Sequence, residues 1–389
     1  MNTGKEDWFA YFPGNYRWSA GLLIALSTAP WGASEVGEID RIGRQLRDRD
    51  GDDEAWFRAW VAMAETLEKR AGEAAARRQS VTAAGLYRRA CMYYQTGERF
   101  RQPKDQAALE AYRSGVDCMK KAAAYLDFPS LEYVEIPYEQ GKSLPAIFMK
   151  GSADRKIPQP VVVFFDGLDV TKEMCSFFGV ADLVRRGVNC LLVDGPGNGE
   201  SVRCRDLQVR YDQEVPAGAA VDYLLTRADV HPDKIGVMAL SLGGYYAPRA
   251  AAFEKRFKAC AAWGAQWDYR EVWKRRLEAA FKADLSVPPD HICWFTGTRT
   301  IEEALVFLEK FTLAGVAERI ECPFLLVHGL HDTQIPMEDA RTCFNAVGSK
   351  DKTLKVFSEG EGGLLHCNWD YLTPVVQYMY DWLAEKLNP

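Results

Sequence analysis

The sequence lacks three features that would take it out of the ordinary globular class. It has no apolar run long enough to span a bilayer, and its 48 lysines and arginines, outnumbered by 54 aspartates and glutamates, form no long basic run. Its ten cysteines include no Cys-x-x-Cys pair. These absences argue against a membrane or nucleic-acid partner and favour the reduced cytoplasm over a disulfide framework.

One apolar stretch near the N-terminus, residues 18–33, could be mistaken for a targeting signal. The residues before it are rich in acidic and aromatic side chains, unlike the basic start of a secretory signal peptide. The stretch is also too short and too polar to cross a bilayer. We therefore expect a buried helix at this position.

The hydrophobic period changes near residue 128. Before that point apolar residues recur every three or four positions, as in Val36, Ile39, Ile42 and Leu46, and no strand pattern interrupts them. Such a period predicts amphipathic helices. We expect residues 1–128 to form an all-α domain whose helices include 80–100 and 105–126.

After residue 128, short β-rich runs alternate with helix-length connections, which predicts an α/β fold with a mainly parallel sheet and a ligand site at the carboxyl ends of its strands. The predicted strands cover 131–136, 144–149, 161–165, 189–193, 235–240, 259–263, 324–327 and 354–357. The interval between 263 and 318 is too long for one crossover. We expect a helical insertion at about 266–318 within a second domain, 129–389.

A serine follows the apolar run IGVMAL directly, and small residues flank it. Ala239 lies two positions before Ser241, and Gly243 lies two positions after it. The strained strand-to-helix turn that presents a nucleophilic serine needs small residues at both positions, usually in the pattern Gly-x-Ser-x-Gly. Ala239 departs from that pattern by one methyl group. The motif predicts that Ser241 is a nucleophile.

An acid and a histidine follow Ser241 in the order of an α/β-hydrolase, each just after a predicted strand. Asp332 ends the segment LLVHGLHD, and His366 ends EGGLLH. Asp339 competes with Asp332 for the acid role, but the turn after the strand favours Asp332. We expect His366 to accept the serine proton and Asp332 to orient the imidazole.

Four other histidines are alternatives to His366. His328 and His331 have the His-x-x-His spacing of a metal site, but no carboxylate cluster or third histidine completes it. We expect no metal. The histidines in question are His231, His291, His328 and His331.

Two backbone N–H groups are needed to stabilise the oxyanion that forms when a serine attacks a carbonyl group. The amide of Leu242 follows the nucleophile directly and is the first candidate. The second should come from the strand-end loop FDGLD, where we expect the amide of Leu168 to point inward. The glycine-rich segment DGPGNGES, 194–201, lacks the ending of a phosphate loop and predicts a tight turn beside the site.

Four motifs together resemble a family of α/β-hydrolases typified by dihydroxypseudooxynicotine hydrolase of nicotine breakdown and by fungal pigment-pathway hydrolases that shorten polyketide chains. The motifs are DGLDVTKE (166–173), DGPGNGE (194–200), SLGG (241–244) and HGLHD (328–332). The likeness covers most of 131–389 and extends more weakly to LYRRACMYY (86–94). It implies an α/β-hydrolase fold with a helical N-terminal cap, no cofactor and a homodimer.

The resemblance also implies hydrolysis of a carbon–carbon bond next to a ketone. Enzymes of this group can use an acidic residue from the insertion, and Asp268 and Glu271 both lie in the matching neighbourhood. Aromatic side chains in the expected pocket, including Tyr16, Trp267 and Trp273, favour an aromatic or polyketide-like small molecule as substrate, although these rings could equally form the helical core.

Three other functions remain open from the sequence. A carboxylesterase or thioesterase would use the same three residues, and a prolyl-oligopeptidase-like peptidase shares the nucleophile region but would be preceded by a repeat-built propeller that this chain lacks. The third possibility is a non-catalytic binding protein. The presence of serine, aspartate and histidine together argues against it, because a protein without catalytic activity need not retain all three.

Overall fold

The computed structural model of the chain describes residues 11–151, 157–278, 281 and 284–388. These residues form two compact units. The first contains the described residues up to Leu126 together with those of Arg276–His291. The second contains Asp127–Arg275 and the described residues from Ile292 onward. Part of the predicted insertion therefore packs with the N-terminal unit.

The first unit is helical, as its sequence period predicts. Its main helices are α1 (Tyr16–Ser27), α2 (Val36–Leu46), α3 (Asp53–Ala76), α4 (Ser80–Glu98) and α5 (Gln106–Ala123).

Its core contains a row of tryptophans. The ring of Trp18 lies 5.1 Å from that of Trp56, which lies 5.3 Å from that of Trp60, measured between centroids. All three side chains are fully buried. Burial of such large apolar rings is the main contribution that a helix bundle can draw on for its stability.

The apolar stretch at 18–33 begins inside α1, which is a largely buried helix as expected. Asn15 caps it, since its side-chain oxygen accepts a hydrogen bond from the backbone amide of Trp18. The indole of Trp18 donates to Asp53 on α3 at 2.9 Å, which satisfies its polar atom within the core. In the part of the chain that the structure describes, no helix is both long and apolar enough to cross a membrane.

The second unit is built on one sheet of eight strands among the described residues. The strands are β1 (Ser130–Pro137), β2 (Ser143–Lys150), β3 (Gln159–Phe165), β4 (Asn189–Val193), β5 (Val230–Leu240), β6 (Phe257–Trp263), β7 (Phe324–Gly329) and β8 (Lys352–Phe357). Their order is β1-β2-β4-β3-β5-β6-β7-β8. Strand β1 pairs antiparallel with β2 and β2 antiparallel with β4, whereas all pairs from β4 to β8 are parallel.

Helices connect the strands of the parallel part. They are α6 (Lys172–Ser176), α7 (Val180–Arg185), α8 (Gly199–Cys204), α9 (Glu214–Leu225), α10 (Gly243–Phe253), α11 (Tyr269–Leu277), α12 (His291–Thr296), α13 (Ile301–Phe307), α14 (Met337–Ala346) and α15 (Leu372–Leu387). This is the α/β-hydrolase architecture that the alternating pattern predicts. Because the strands β3 to β8 are parallel, the residues that follow them meet at one edge of the sheet.

Candidate active site

The turn between β5 and α10 holds Ser241 in a strained conformation. Its φ angle is +59°, a left-handed value that non-glycine residues adopt rarely and mostly at functional turns. The turn is tight on both sides. A Cβ atom on Gly243 would overlap the Cβ of Ala239, and one on Gly244 would overlap the carbonyl oxygen of Gly264. Alanine at 239 is thus accommodated because position 243 is glycine.

Three side chains from separate strand ends meet at this turn. Ser241 Oγ lies 2.8 Å from His366 Nε2, and His366 Nδ1 lies 2.8 Å from Asp332 Oδ2. The other carboxylate oxygen of Asp332 accepts hydrogen bonds from the amides of Gln334 at 2.8 Å and Ile335 at 2.9 Å. The carboxylate is therefore fixed in place, and the imidazole bridges it to the serine hydroxyl.

The electrostatics of this group follow from a buried ion pair. Burial opposes the charged imidazolium, but the Asp332 carboxylate outweighs it, with a smaller contribution from the Cys367 thiol, and the pKa of His366 rises to about 10. Burial likewise favours the neutral acid at Asp332, yet the facing imidazole holds the pKa of that carboxyl below its usual range. An imidazolium that forms at His366 is thus strongly stabilised.

The immediate neighbours of His366 include a cysteine that belongs to no sequence motif. Cys367 Sγ lies 3.5 Å from His366 Nε2, the same nitrogen that faces Ser241. Asp339, the alternative acid, lies instead in the first turn of α14. Its pKa rises to about 6 because of burial, partly offset by the nearby Arg275.

The two predicted oxyanion donors lie beside Ser241. Leu242 follows Ser241 directly, and Leu168 follows Gly167, where an added Cβ would lie 3.1 Å from the Cβ of Ser241. Both leucine side chains are buried. Among the described residues, neither amide donates a hydrogen bond to another backbone group outside the helices and strands. A role for either N–H group in binding an oxyanion stays a prediction.

The predicted pocket residues of the insertion have different surroundings. Trp273 is buried in α11, with its ring edge-on to Tyr269. Asp268 is half-buried, and its carboxylate accepts the amide of Glu271 at 3.1 Å. Glu271 itself is exposed and pairs with Lys274 at 2.5 Å. A part for either acid in the reaction stays a prediction.

The remaining two predicted pocket residues are aromatic and half-buried. Trp267 precedes α11, where its carbonyl accepts the amide of Leu313 at 2.9 Å. Tyr16 is the first residue of α1 in the other compact unit. For both, substrate contact stays a prediction.

Two family profiles each match more than half of the chain. The profile of the prolyl oligopeptidase family matches residues 177–389, which contain Ser241, Asp332 and His366. The chain belongs to this family of α/β-hydrolases. The profile described as esterase FrsA-like matches residues 48–273.

Relatives of known name are hydrolases too. The chain is 28% identical to 20-hydroxy-prefusarin hydrolase FUS2 of Gibberella moniliformis, with 93% of this chain and 94% of the relative covered. It is also 28% identical to 2,6-dihydropseudooxynicotine hydrolase of Paenarthrobacter nicotinovorans, over 90% and 89% of the two chains.

A solved structure shares the fold over nearly its whole length. The crystal structure of 2,6-dihydroxy-pseudo-oxynicotine hydrolase superposes with a TM-score of 0.78 at 26% identity and covers 93% of this chain and 96% of its own. The protein is a hydrolase enzyme, and the expected resemblance to this group is confirmed.

The two histidines with metal-like spacing, His328 and His331, have different surroundings. His331 is exposed and lies 3.2 Å from Glu359. His328 is buried in β7, and burial lowers its pKa, so it is uncharged. Across the described ranges, no group of three histidine, cysteine or carboxylate side chains is placed as metal ligands would be.

Sequence reasoning missed one buried amide at the edge of the sheet. Gln266 follows β6 by three residues, is fully buried, and has no hydrogen-bond partner for its side-chain oxygen or nitrogen in the described part of the chain. Leaving such a group unpaired costs roughly 1–3 kcal/mol. A single glutamine carries no motif, so only the fold makes it visible.

Proposed function

We propose that this enzyme is a serine hydrolase that cleaves a carbon–carbon bond next to a ketone in an aromatic or polyketide-like substrate. The hydrogen-bonded series Ser241, His366 and Asp332 carries the proposal. A serine hydroxyl is a poor nucleophile at neutral pH and needs a base within hydrogen-bonding distance, and His366 Nε2 lies at that distance.

The first half of the reaction forms an acyl-enzyme. Ser241 Oγ bonds to the substrate carbonyl carbon while its proton moves to His366 Nε2, and the resulting oxyanion accepts the amides of Leu242 and Leu168. The carbon–carbon bond then breaks, and its electron pair enters the leaving fragment as an enolate. His366 returns the proton to that carbon. Losing one oxyanion donor typically costs about 3–4 kcal/mol of transition-state stabilisation.

The second half regenerates the enzyme. A water molecule attacks the acyl carbon and gives a proton to His366, and the Ser241–acyl bond breaks as the serine recovers its proton. The net reaction consumes one water and yields a carboxylic acid and a ketone. Breaking a carbon–carbon bond in this way requires a substrate that can hold the electron pair, such as a β-diketone.

Gln266 supports a diketone substrate over a simple ester. An enolate oxygen is a second site of negative charge that needs a donor, and Gln266 offers an unpartnered, fully buried amide. Its strand end lies beside the nucleophile, since the amide of Ser241 donates to the carbonyl of Trp263, the last residue of β6, at 2.8 Å. The two relatives named 20-hydroxy-prefusarin hydrolase and 2,6-dihydropseudooxynicotine hydrolase support a small molecule as the substrate.

The second candidate function is that of a carboxylesterase or thioesterase. The match to the esterase FrsA-like profile favours it, because that profile covers Ser241 and the two proposed oxyanion donors, Leu242 and Leu168. An ester requires the same serine, histidine and aspartate, but its leaving oxygen needs no enolate donor. The two functions therefore differ in how the leaving group is stabilised.

The test is a pair of specificity constants, for an aryl β-diketone and an aryl ester of matched size, with S241A as control. Preference for the diketone by more than about tenfold, equal to roughly 1.4 kcal/mol of transition-state energy, supports carbon–carbon hydrolysis. Preference for the ester, lost in S241A, makes the enzyme a carboxylesterase. Activity that persists in S241A contradicts both.

A further inference from the structure

A cluster of buried charges lies behind the oxyanion loop, defined here as residues 165–169. Its members come from β3, β4 and the segments that follow them: Asp166, Lys172, Glu173, Asp194 and Glu200. Lys172 Nζ lies 2.8 Å from Asp194, 3.0 Å from Glu173 and 3.2 Å from Glu200. Buried charges of this kind are expensive unless each has a partner.

Asp194 is held firmly as an anion. Its carboxylate accepts the amide of Lys172 at 2.7 Å, the ammonium of Lys172 at 2.8 Å and the amide of Glu200 at 2.8 Å. Gly199 permits this approach, since a Cβ there would overlap the carboxylate. Burial favours the neutral acid, but Lys172 and the two amides outweigh it and lower the pKa of Asp194.

Asp166 is in the opposite situation. It is buried, and neither of its carboxyl oxygens accepts a hydrogen bond from a described N–H or O–H donor. Its carboxyl group does lie within hydrogen-bonding reach of the Asp194 carboxyl. Two carboxyl groups can share such a bond only if one of them holds a proton. Burial, and then the charge of Asp194, raise the pKa of Asp166 well above its usual range.

The count of charges leads to the same assignment. Lys172 and Arg205 are the cations that contact the cluster, and Arg205 pairs with Glu200 at 2.6 Å while also binding the exposed Glu135. They face four carboxyl groups, so at full ionisation two negative charges would stay uncompensated. Glu173 has Lys172 at 3.0 Å, whereas Asp166 has no cation partner among the described residues, so the proton is assigned to Asp166. Tyr246 and Cys175 also face Asp166, and burial raises the pKa of both, so each is neutral.

The cluster is joined to the oxyanion loop on two sides. Asp166 is itself the second residue of the loop, and the side-chain amide of Asn198 donates to the carbonyl of Gly167. Gly167 also packs against the turn that carries Ser241. A Cβ atom added to Gly167 would lie 2.9 Å from the carbonyl oxygen of Leu240. The loop therefore has little room to move without breaking these bonds.

We propose that Asp166 is a protonated acid that donates a hydrogen bond to Asp194 and, through this bond, positions the amide of Leu168 for the oxyanion. Asp166 is a positioning residue, because it acts through the loop and touches no reacting atom. The inference rests on the proposed function, since it assumes attack by Ser241.

The test compares two substitutions of similar size at one position in the full-length protein. Leucine in D166L cannot donate a hydrogen bond, and we expect kcat to fall at least tenfold with KM changed less than threefold. Asparagine in D166N is neutral and donates, so kcat should recover to within about threefold of the wild-type value. If D166N is as impaired as D166L, or if D166L is fully active, the inference is wrong.

A spectroscopic readout covers the case in which D166L does not fold. The infrared spectrum at pH 8 should contain the carbonyl band of a protonated carboxylic acid that disappears in D166N; identical spectra would overturn the inference. The S241A variant distinguishes a failure of the proposed function from a failure of the inference about Asp166. Activity that persists in S241A refutes the proposed function, whereas an inactive S241A with no rescue by D166N refutes the role of Asp166 alone.

Discussion

Gly244 and Gly264 pack backbone to backbone, so closely that a methyl group on Gly244 would overlap the carbonyl oxygen of Gly264 and lie 3.0 Å from the Cα of Ala265. The contact joins the first turn of α10 to the end of β6. It fixes where the nucleophile turn lies relative to the next strand of the sheet.

Gly244→Ala should therefore lower both stability and activity. A backbone carbonyl cannot move aside as a flexible side chain can, so we expect a loss at or above the upper end of the roughly 1–3 kcal/mol typical of overpacking. Thermal unfolding and kcat measure the two effects. Gly37→Ala in α2 is the control, because a Cβ there meets no atom within 4 Å and should leave both quantities close to wild type.

The methyl group of Ala239 occupies the space that a Cβ atom at position 243 would need. Gly243→Ala alone should impair folding and kcat, since the two Cβ atoms would overlap. Adding Ala239→Gly removes that overlap and restores the usual glycine at this position, so the double variant should recover part of the loss. A double-mutant cycle on unfolding free energy measures the coupling. Additive effects would show that the two residues do not share the space.

The dependence of kcat/KM on pH should report the His366–Asp332 pair. Only neutral His366 can accept the serine proton, and Asp332 raises the pKa of the histidine. Activity should therefore rise with pH through a midpoint above the ordinary histidine value of about 6.5. D332N removes the charge, so the midpoint should move to lower pH while the rate falls, by about 10⁴-fold in a related triad. A midpoint that does not move would contradict the assignment of Asp332.

Gln266→Leu should discriminate between the two candidate functions. If the amide stabilises the enolate, its loss should reduce kcat/KM for the aryl β-diketone by roughly ten- to a hundredfold, as expected for a missing hydrogen bond to charge of about 1.5–3 kcal/mol. Turnover of the aryl ester should change much less. Gln266→Glu serves as a second variant that keeps the shape but cannot donate when ionised. Equal losses on both substrates would assign Gln266 to packing.

Much of this site could be predicted because its signals are local. The apolar runs before Ser241 and Asp332 mark two strands, and parallel strands bring the residues after them to one edge. The cluster behind the oxyanion loop has no such signal. Lys172 and Asp194 are 22 positions apart, and only the pairing of β3 with β4 makes them neighbours. Protonation of Asp166 depends on burial and on donors supplied by other segments, which no spacing encodes.

The sequence pattern also does not predict which residues the segment Arg276–His291 packs with, because its packing partners precede the sheet in sequence. One of its polar contacts joins the side chains of Gln102 and His291, 3.3 Å apart. The sequence period shows that such a segment is helical or irregular. It does not show which compact unit the segment joins.

Because Arg276–His291 belongs to the N-terminal unit, this unit can finish folding only after that segment has been synthesised. Gln102 and His291 are separated by 189 positions, which a ribosome adding about 5–20 residues per second covers in about 10–40 s. The helical unit leaves the ribosome first but cannot be completed until most of the sheet has been translated. Until then the bundle lacks the segment Arg276–His291, so the folding of this unit can be completed only late in synthesis.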